Sequence, residues 1–417
     1  MGWTAYDASV TPWSTSNARS RLLAWSIIGI VGWLGAIAIG AALWSAEPRS
    51  AGFDWELIVD AGRRVTAGLS PYDPDLLAGQ AHLVAVDLFY SYPPPVAQAA
   101  AFVAGVPTLA SLLALDGLAV IGAALVAAIL ARARPDLRGL DVVLPTVAVL
   151  PLLFPVTVAL IFGNVDVLYP LVYGTLLLSA VGAGSGRVTT VAGGIALAVA
   201  AMAKIHPGGI ALWLLVRGSR ERRNRMEPRS WVVLLVALAA GLVILVTSLL
   251  VGGGGPWQDY LRVIGVAADA DVVVRANIGP AAQVALAAGL DADAARGLYF
   301  VTLSAALGVT IAAAWRIADT MLSLAIGATA SLILLPITWF HYPSALIPFA
   351  VAAIIRSAGG ARPSRVIVLV FLAGLVASLT IVLPVAVWIA VGLVIAAVAE
   401  SRPAAQPTPS GLPVATA

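Results

Sequence analysis

The stretch that decides the fold is the apolar run "LLAWSIIGIVGWLGAIAIGAALW" at residues 22–44. A helix needs about 20 apolar residues to cross a bilayer, and this run is longer and carries no charge. Similar runs recur along the chain, because 60% of its 417 residues are hydrophobic and only 11% are charged. The run also exceeds the core of a signal peptide, so we expect a retained signal anchor. The sequence therefore predicts an all-α polytopic membrane protein.

Apolar length and the turn residues between the runs predict about twelve transmembrane helices. Together they form a transmembrane domain over residues 22–400, preceded by a cytoplasmic tail, 1–21, and followed by a disordered tail, 401–417. Loops 46–109 and 252–297 are the long polar segments inside this domain. The predicted spans are 22–45, 110–131, 141–162, 165–183, 188–203, 207–217, 231–251, 298–315, 320–338, 343–356, 365–382 and 384–399.

Arginine placement predicts the orientation, because short loops rich in Lys and Arg stay in the cytoplasm. With the N-terminus inside, 17 of the 24 basic residues fall in inner segments. Most carboxylates, the only lysine (Lys204) and all three histidines (His82, His206 and His341) then fall at the extracytoplasmic face. We therefore expect the chemistry at that face of a multi-pass protein of the plasma membrane.

Composition also excludes several classes of function. The chain has no cysteine, so it forms neither disulfides nor thiolate metal sites, and three histidines leave little room for zinc. The net charge is +3, but the arginines are scattered at span ends, which indicates topology and no nucleic-acid partner.

The first outer loop contains "SAGFDWELIVDAGRRVTAG" at residues 50–68, with three carboxylates directly after the first span. Its apolar positions recur at helical spacing, which predicts an amphipathic helix over 54–67, closed by Gly68, that lies on the membrane surface. Asp54 lies at the head of the apolar stripe and faces the span bundle, either as the helix N-cap or as a functional acid. The solvated face carries Glu56 and Asp60 with their expected partners Arg63 and Arg64.

Polar side chains also stand at the outer ends of later spans, in "LFYSYPPP" (88–95), "FGNVD" (162–166), "AKIHP" (203–207) and "ITWFHYP" (337–343). Ionisable groups at membrane depth are costly and commonly functional, and lysine with histidine suits a phosphate. Structural alternatives stay open for each. They are an aromatic belt for the tyrosines, a turn for Asn164, snorkelling for Lys204 and a structural histidine at 341.

The order of these motifs resembles the integral-membrane GT-C glycosyltransferases of the DUF2029 group. In sequence, Asp54 is followed by "SPY", "YPP", "FGN", "AKIHP" and "ITWFHYP", and the resemblance covers roughly residues 22–382. That group comprises actinobacterial mannosyl- and arabinosyltransferases that use polyprenyl-phosphate sugars, and this chain looks similar to the phosphatidylinositol-mannoside mannosyltransferase. The matching positions are Asp54, Gly163, Asn164, Lys204, Pro207 and His341. The chain departs from the pattern at Ile58, Val59 and Tyr342.

The resemblance implies a GT-C-like fold and an inverting transfer of a sugar, mannose in the first place, at the extracytoplasmic face. The donor would be a polyprenyl-phosphate sugar and the acceptor a glycolipid or lipoglycan, both held among membrane lipid. No cofactor or metal site is expected, although a divalent cation stays open. The candidate residues are Asp54 (general base) and His341 for catalysis; Lys204, His206, Arg262 and Arg275 for the donor phosphate; and Asn164, Asp166, Tyr92, Trp339 and Tyr342 for sugar or acceptor.

Two alternatives stay open at this point. Within the same class, the sugar could be arabinose, carried on polyprenyl-phosphoarabinose. From a different class, twelve spans also suit a secondary transporter or lipid flippase, although such folds usually show paired halves with ionisable groups near the midplane. Here the acids crowd one surface, which favours the transferase.

Overall fold

The computed structural model describes residues 18–46, 51–78, 89–132, 134, 137–182, 186–268, 271–358 and 363–402. These residues form helices and no β-strand, which confirms the predicted all-α class. The helices in chain order are α1 (Ala18–Ala46), α2 (Phe53–Thr66), α3 (Pro74–Leu77), α4 (Pro94–Ala100), α5 (Thr108–Ala131), α6 (Leu140–Val149), α7 (Phe154–Phe162), α8 (Tyr169–Val181), α9 (Gly186–Ala203), α10 (Ile210–Arg223), α11 (Arg229–Gly252), α12 (Gly255–Ala268), α13 (Pro280–Ala288), α14 (Ala292–Arg316), α15 (Thr320–Ser331), α16 (Ile347–Ser357), α17 (Pro363–Ser378) and α18 (Ala386–Glu400).

Six of the described helices, α1, α5, α9, α11, α14 and α17, are long and apolar enough to cross a membrane. The α6 and α7 segments add a seventh if they form one span, although they bend by 70° at their junction. Prolines cause such breaks because they lack an N–H and clash with the preceding turn, and Pro151 and Pro155 flank this one. The polytopic membrane class is therefore confirmed.

Each of the twelve predicted spans coincides with helical structure, but several of the helices are short. The apolar helices α8, α15, α16 and α18 have between 10 and 17 residues, and α10 carries a cluster of arginines at its end. A helix of that length does not cover about 30 Å of hydrocarbon on its own. The count of twelve crossings therefore stays a prediction. The outermost parts of both predicted tails, 1–17 and 403–417, lie outside the described residues.

The long helices pack into a bundle whose outer surface is apolar. Leu250 and Phe371 are 81% and 70% exposed, as expected for side chains that face lipid. The interior is a continuous core in which Tyr173, Trp213 and Phe349 are fully buried. This core includes residues of α8, α10 and α16, and most of the polar side chains described below lie in the turns before α8, after α9 and before α16.

The amphipathic helix predicted after the first span is present as α2, and its position on the membrane surface stays a prediction. Ile58 and Ala61 are buried against α4, while Glu56 and Asp60 are exposed, which confirms the amphipathic pattern. Asp60 pairs with an arginine three residues later, Arg63, at 2.6 Å. The second arginine, Arg64, instead donates to the backbone carbonyls of Ser70 and Tyr72 and so folds the following turn back onto the helix.

The second outer loop covers part of the first. Asp259 on α12 accepts a hydrogen bond from the Ser70 hydroxyl at 2.7 Å, and Tyr260 packs against Tyr72. A wall beside the first loop is therefore formed by α12, whose apolar side joins the tyrosine cluster beneath α2.

Candidate active site

Asp54 is placed by the way α2 begins. Gly52 takes the N-cap position in a left-handed conformation (φ 74°), donates its N–H to the Ile161 carbonyl at 2.7 Å, and accepts from the Glu56 N–H. The expectation that Asp54 is the N-cap is therefore wrong. A glycine with positive φ starts the helix instead, because that conformation costs it little. The Asp54 side chain is left free to point at the bundle.

The opposing wall comes from the "FGN" turn at the end of α7. Gly163 ends that helix in a left-handed conformation (φ 69°), and a Cβ on it would lie 2.6 Å from the Cβ of Trp55. The absence of a side chain at Gly163 therefore lets α2 approach. Directly after it, the Asn164 side-chain oxygen accepts the backbone N–H of Asp166, which fixes the turn.

Five polar side chains meet at this point in a single chain of contacts. Asn164 donates from Nδ2 to Asp54 Oδ2 at 2.7 Å. Lys204 donates from Nζ both to Asn164 Oδ1 at 3.0 Å and to Asp166 Oδ2 at 2.9 Å. His341 Nε2 lies 3.1 Å from the same Asp166 oxygen. We call Asp54, Asn164, Asp166, Lys204 and His341 the polar cluster.

The two carboxylates of the polar cluster have different surroundings. The Asp166 side chain is fully buried, and both Lys204 and His341 lie against it. Asp54 is only half-buried, and among the described residues its side-chain hydrogen bond comes from Asn164. A buried carboxylate paired with an ammonium group is a poor proton acceptor, whereas a half-buried one can reach a substrate. The two acids thus differ in burial and in the groups that contact them.

Burial raises the pKa of the Asp54 carboxyl above its ordinary value. The His341 charge, the Asn164 hydrogen bond and the Lys204 charge act against this shift, and the charge of Asp166 adds to it. A raised pKa makes a carboxylate a stronger base, provided that the working pH stays above it. Among the two acids of the polar cluster, Asp54 is the one whose pKa is raised and whose side chain is only half-buried.

Aromatic rings enclose the lysine. The Lys204 ammonium lies 5.5 Å from the ring centre of Tyr92 and 5.2 Å from that of Tyr342, both within cation–π range. Among the described residues, hydrogen bonds from the Lys204 ammonium go to Asn164 and Asp166, and an ammonium has three N–H groups. Tyr92 and Tyr342 thus lie beside the polar cluster, and their contacts with sugar or acceptor stay predictions.

His206 is close to the cluster but does not take part in its hydrogen bonds. It lies in the 3₁₀ turn between α9 and α10, is fully buried, and stacks on Tyr342 with ring centres 4.2 Å apart. Burial lowers its pKa to about 3, so the imidazole is neutral. Lys204 and His206 both stay predicted phosphate ligands, and of the two it is Lys204 that takes part in the polar cluster.

Three further predicted site residues lie elsewhere in the described part of the chain. Arg262 has an exposed side chain 3.6 Å from Asp259, and Arg275 donates to the Val382 carbonyl. Trp339 packs against the main hydrophobic core. The structure does not join any of these three to the polar cluster through a contact. His82 lies outside the described residues.

Some contacts at the site had no signal in the sequence. Ser344 donates its hydroxyl to the backbone carbonyl of Asp166 at 3.2 Å, and Trp55 donates to the Ser111 hydroxyl at 2.8 Å. Serine next to a proline is common in helix starts, so Ser344 does not stand out in a single sequence. No group of three or more His, Cys, Asp or Glu side chains among the described residues is arranged to hold a metal ion.

The chain matches a known family over much of its length. The model of glycosyltransferase family 87 matches residues 90–338. That range contains Asn164, Asp166, Lys204 and the second outer loop, while Asp54 and His341 lie on either side of it. No curated protein and no solved structure matches the chain. The match, together with the all-α architecture, shows that this chain belongs to glycosyltransferase family 87 and is a membrane glycosyltransferase of the GT-C type.

Proposed function

We propose that the protein transfers a sugar, mannose in the first place, from a polyprenyl-phosphate donor to a glycolipid or lipoglycan acceptor, with Asp54 as general base. The observation that carries this proposal is the pairing of a half-buried carboxylate with a lysine through one asparagine. A transfer from a sugar phosphate needs a base for the acceptor and a cation for the leaving group. Asp54 and Lys204 supply these two functions side by side.

The reaction follows from that arrangement. Asp54 takes the proton from an acceptor hydroxyl while the hydroxyl oxygen attacks the anomeric carbon of the donor. The bond between that carbon and the phosphate oxygen breaks, and the phosphate leaves with the electron pair. Lys204 balances the charge on the departing lipid phosphate, and His341 helps to stabilise the same phosphate. One displacement inverts the anomeric centre, so no carboxylate nucleophile is required.

A lipid-phosphate donor also fits the setting of the site. Its tail would lie in the bilayer and its head at the surface, which is where a helix such as α2, with one apolar and one charged face, would lie. Arginine placement puts this surface outside the cytoplasm, in the plasma membrane. Nucleotide sugars are made and used in the cytoplasm, so this orientation favours the lipid-linked donor.

The test is transfer of labelled mannose from polyprenyl-phosphomannose in membranes that contain the Asp54→Asn variant. We expect the rate to fall by about 10²–10⁴-fold, the usual contribution of a general base. The matched control is Glu56→Gln, because Glu56 is an exposed acid on the same helix. It should keep the wild-type rate.

The pH dependence and the donor complete this test. Because the base must be ionised, the wild-type rate should fall as the pH drops through the raised pKa of Asp54. Replacing the donor by polyprenyl-phosphoarabinose decides between the two candidate sugars. Full activity of Asp54→Asn at equal protein level would remove Asp54 from the mechanism.

A further inference from the structure

The side chain of Asn164 is held in one orientation by its hydrogen bonds. Its side-chain oxygen accepts two hydrogen bonds, from Lys204 Nζ at 3.0 Å and from the Asp166 backbone N–H at 3.1 Å. Both partners are obligatory donors, so the amide has one orientation only. Its Nδ2 group must then face Asp54 Oδ2, 2.7 Å away. The donor to Asp54 is thus fixed by groups that do not themselves touch Asp54.

We infer that Asn164 is a positioning residue that holds the base Asp54 in register with the phosphate-facing Lys204. This inference rests on the proposed function, because it gives Asn164 the task of coupling the two groups that the transfer uses. Asn164 is 3% exposed and stands in a turn fixed by Gly163, so it can act as a rigid spacer. An accurate spacing between base and leaving-group cation matters because small displacements slow such reactions strongly.

The surroundings of Asp54 contain few other groups that could hold it. The ionisable side chains that act on Asp54 are His341, Lys204 and Asp166, and those of Tyr92 and Tyr342 lie near enough to sense its charge. Of the elements packed against α2, helices α4 and α7 carry no ionisable residue, and α5 carries Asp116. Neutral hydrogen-bond support for Asp54 therefore comes from Asn164.

The decisive variant is Asn164→Asp, which has the same shape. It keeps the oxygen that accepts from Lys204 and from the Asp166 backbone, so the turn is preserved. It removes only the donor to Asp54 and places a carboxylate opposite it. We expect kcat to fall by about 10–100-fold through misplacement of the base. The acidic limb of the pH profile should move to higher pH, because a hydrogen bond that favours the ionised form is lost and a like charge is added.

Two further variants complete the test in the full-length protein. Asn224→Asp adds the same charge at an exposed position directly after the C-terminal end of α10, the end remote from Lys204. It should leave both kcat and the pH profile unchanged. Asn164→Ala removes all three hydrogen bonds; it should also move the acidic limb upward, and it serves if Asn164→Asp is not recovered in folded form. Folding is checked by size-exclusion elution and thermal unfolding.

The outcomes separate this inference from the proposed function. If Asp54→Asn is inactive and Asn164→Asp loses rate and shifts its pH profile, both the assignment of Asp54 as base and the positioning function of Asn164 are supported. If Asp54→Asn is inactive but Asn164→Asp keeps the wild-type kcat and pH profile, Asn164 is no positioning residue and the base assignment survives. If Asp54→Asn retains full activity, the base assignment fails and the inference fails with it.

Discussion

At the scale of single residues, Lys204 has a structural contact and a proposed chemical function. Its ammonium neutralises the fully buried Asp166 and stands next to the proposed base through Asn164. Removing one partner of a buried ion pair leaves the other charge uncompensated, which costs about 3–5 kcal/mol. Lys204→Met should therefore lower the melting temperature and abolish sugar transfer, so that this variant alone does not separate the two functions.

The double variant Lys204→Met with Asp166→Asn separates them. It removes both charges of the buried pair, so thermal stability should return towards the wild-type value. Transfer should stay abolished, because the cation for the leaving phosphate is still missing. Thermal unfolding and labelled-sugar transfer on the same preparations measure both effects. Recovery of activity in the double variant would assign Lys204 a purely structural function.

At the scale of elements, the site depends on how closely α2 approaches the end of α7. The two helices meet through the Gly52 N–H, through the Phe53 and Phe162 rings, whose centres are 4.5 Å apart and whose planes are tilted by 44°, and through Trp55 on Gly163. A Cβ at position 163 would stand 2.6 Å from that of Trp55. Because neither atom is at the end of a flexible side chain, α2 would have to move and carry Asp54 away from Asn164.

Gly163→Ala tests this approach, and Gly68→Ala is its matched control. Both glycines have positive φ, at 69° and 74°. Each alanine substitution should therefore lower the free energy of unfolding by about 1–2 kcal/mol through backbone strain alone. Position 68 has open space around it. Gly163→Ala should therefore lower the melting temperature further than Gly68→Ala and should also reduce kcat. Equal effects on stability and rate in the two variants would contradict the proposed dependence on the α2–α7 contact.

At the scale of the whole molecule, the proposed donor requires that α2 lies outside the cytoplasm. The chain contains no cysteine, so single cysteines can be labelled without any background. Glu56 and Glu227 are both exposed, the first on α2 and the second between α10 and α11. In intact cells, a membrane-impermeant maleimide should label Glu56→Cys and spare Glu227→Cys. The reverse pattern would place Asp54 in the cytoplasm.

Much of the fold could be predicted from the sequence because the bilayer imposes simple rules. Each of the twelve predicted apolar runs contains a helix, although several of those helices are too short to span hydrocarbon alone, and the amphipathic period of residues 54–67 predicts α2 within one residue at each end. The period also separated Asp54 from Glu56 and Asp60, which are exposed. The motif order indicated a glycosyltransferase, and the family match confirms that class.

The sequence does not decide a residue's function where that function depends on contacts with remote parts of the chain, or where two local structures are equally compatible with the residue type. Asp54 was equally a helix cap or a functional acid, and only the left-handed Gly52 shows that the cap is elsewhere. The sequence leaves Asn164 open as a turn residue or as a residue that binds sugar or acceptor. In the structure it stabilises the turn and also donates a hydrogen bond to Asp54. Arg262 and Arg275 had the right charge for a phosphate but are engaged by Asp259 and Val382, away from the cluster.

The sequence by itself determined the membrane class, the helical segments and the residue types at their ends. Those features depend on local hydrophobicity and period, which each stretch of chain carries independently. Only the tertiary structure decided which polar groups meet. Asp54 and Asn164 are 110 residues apart in sequence, and Ser344 and Asp166 are 178 apart. Contacts over such separations depend on packing of the whole bundle, in which a missing Cβ at Gly163 brings the proposed base to its partners.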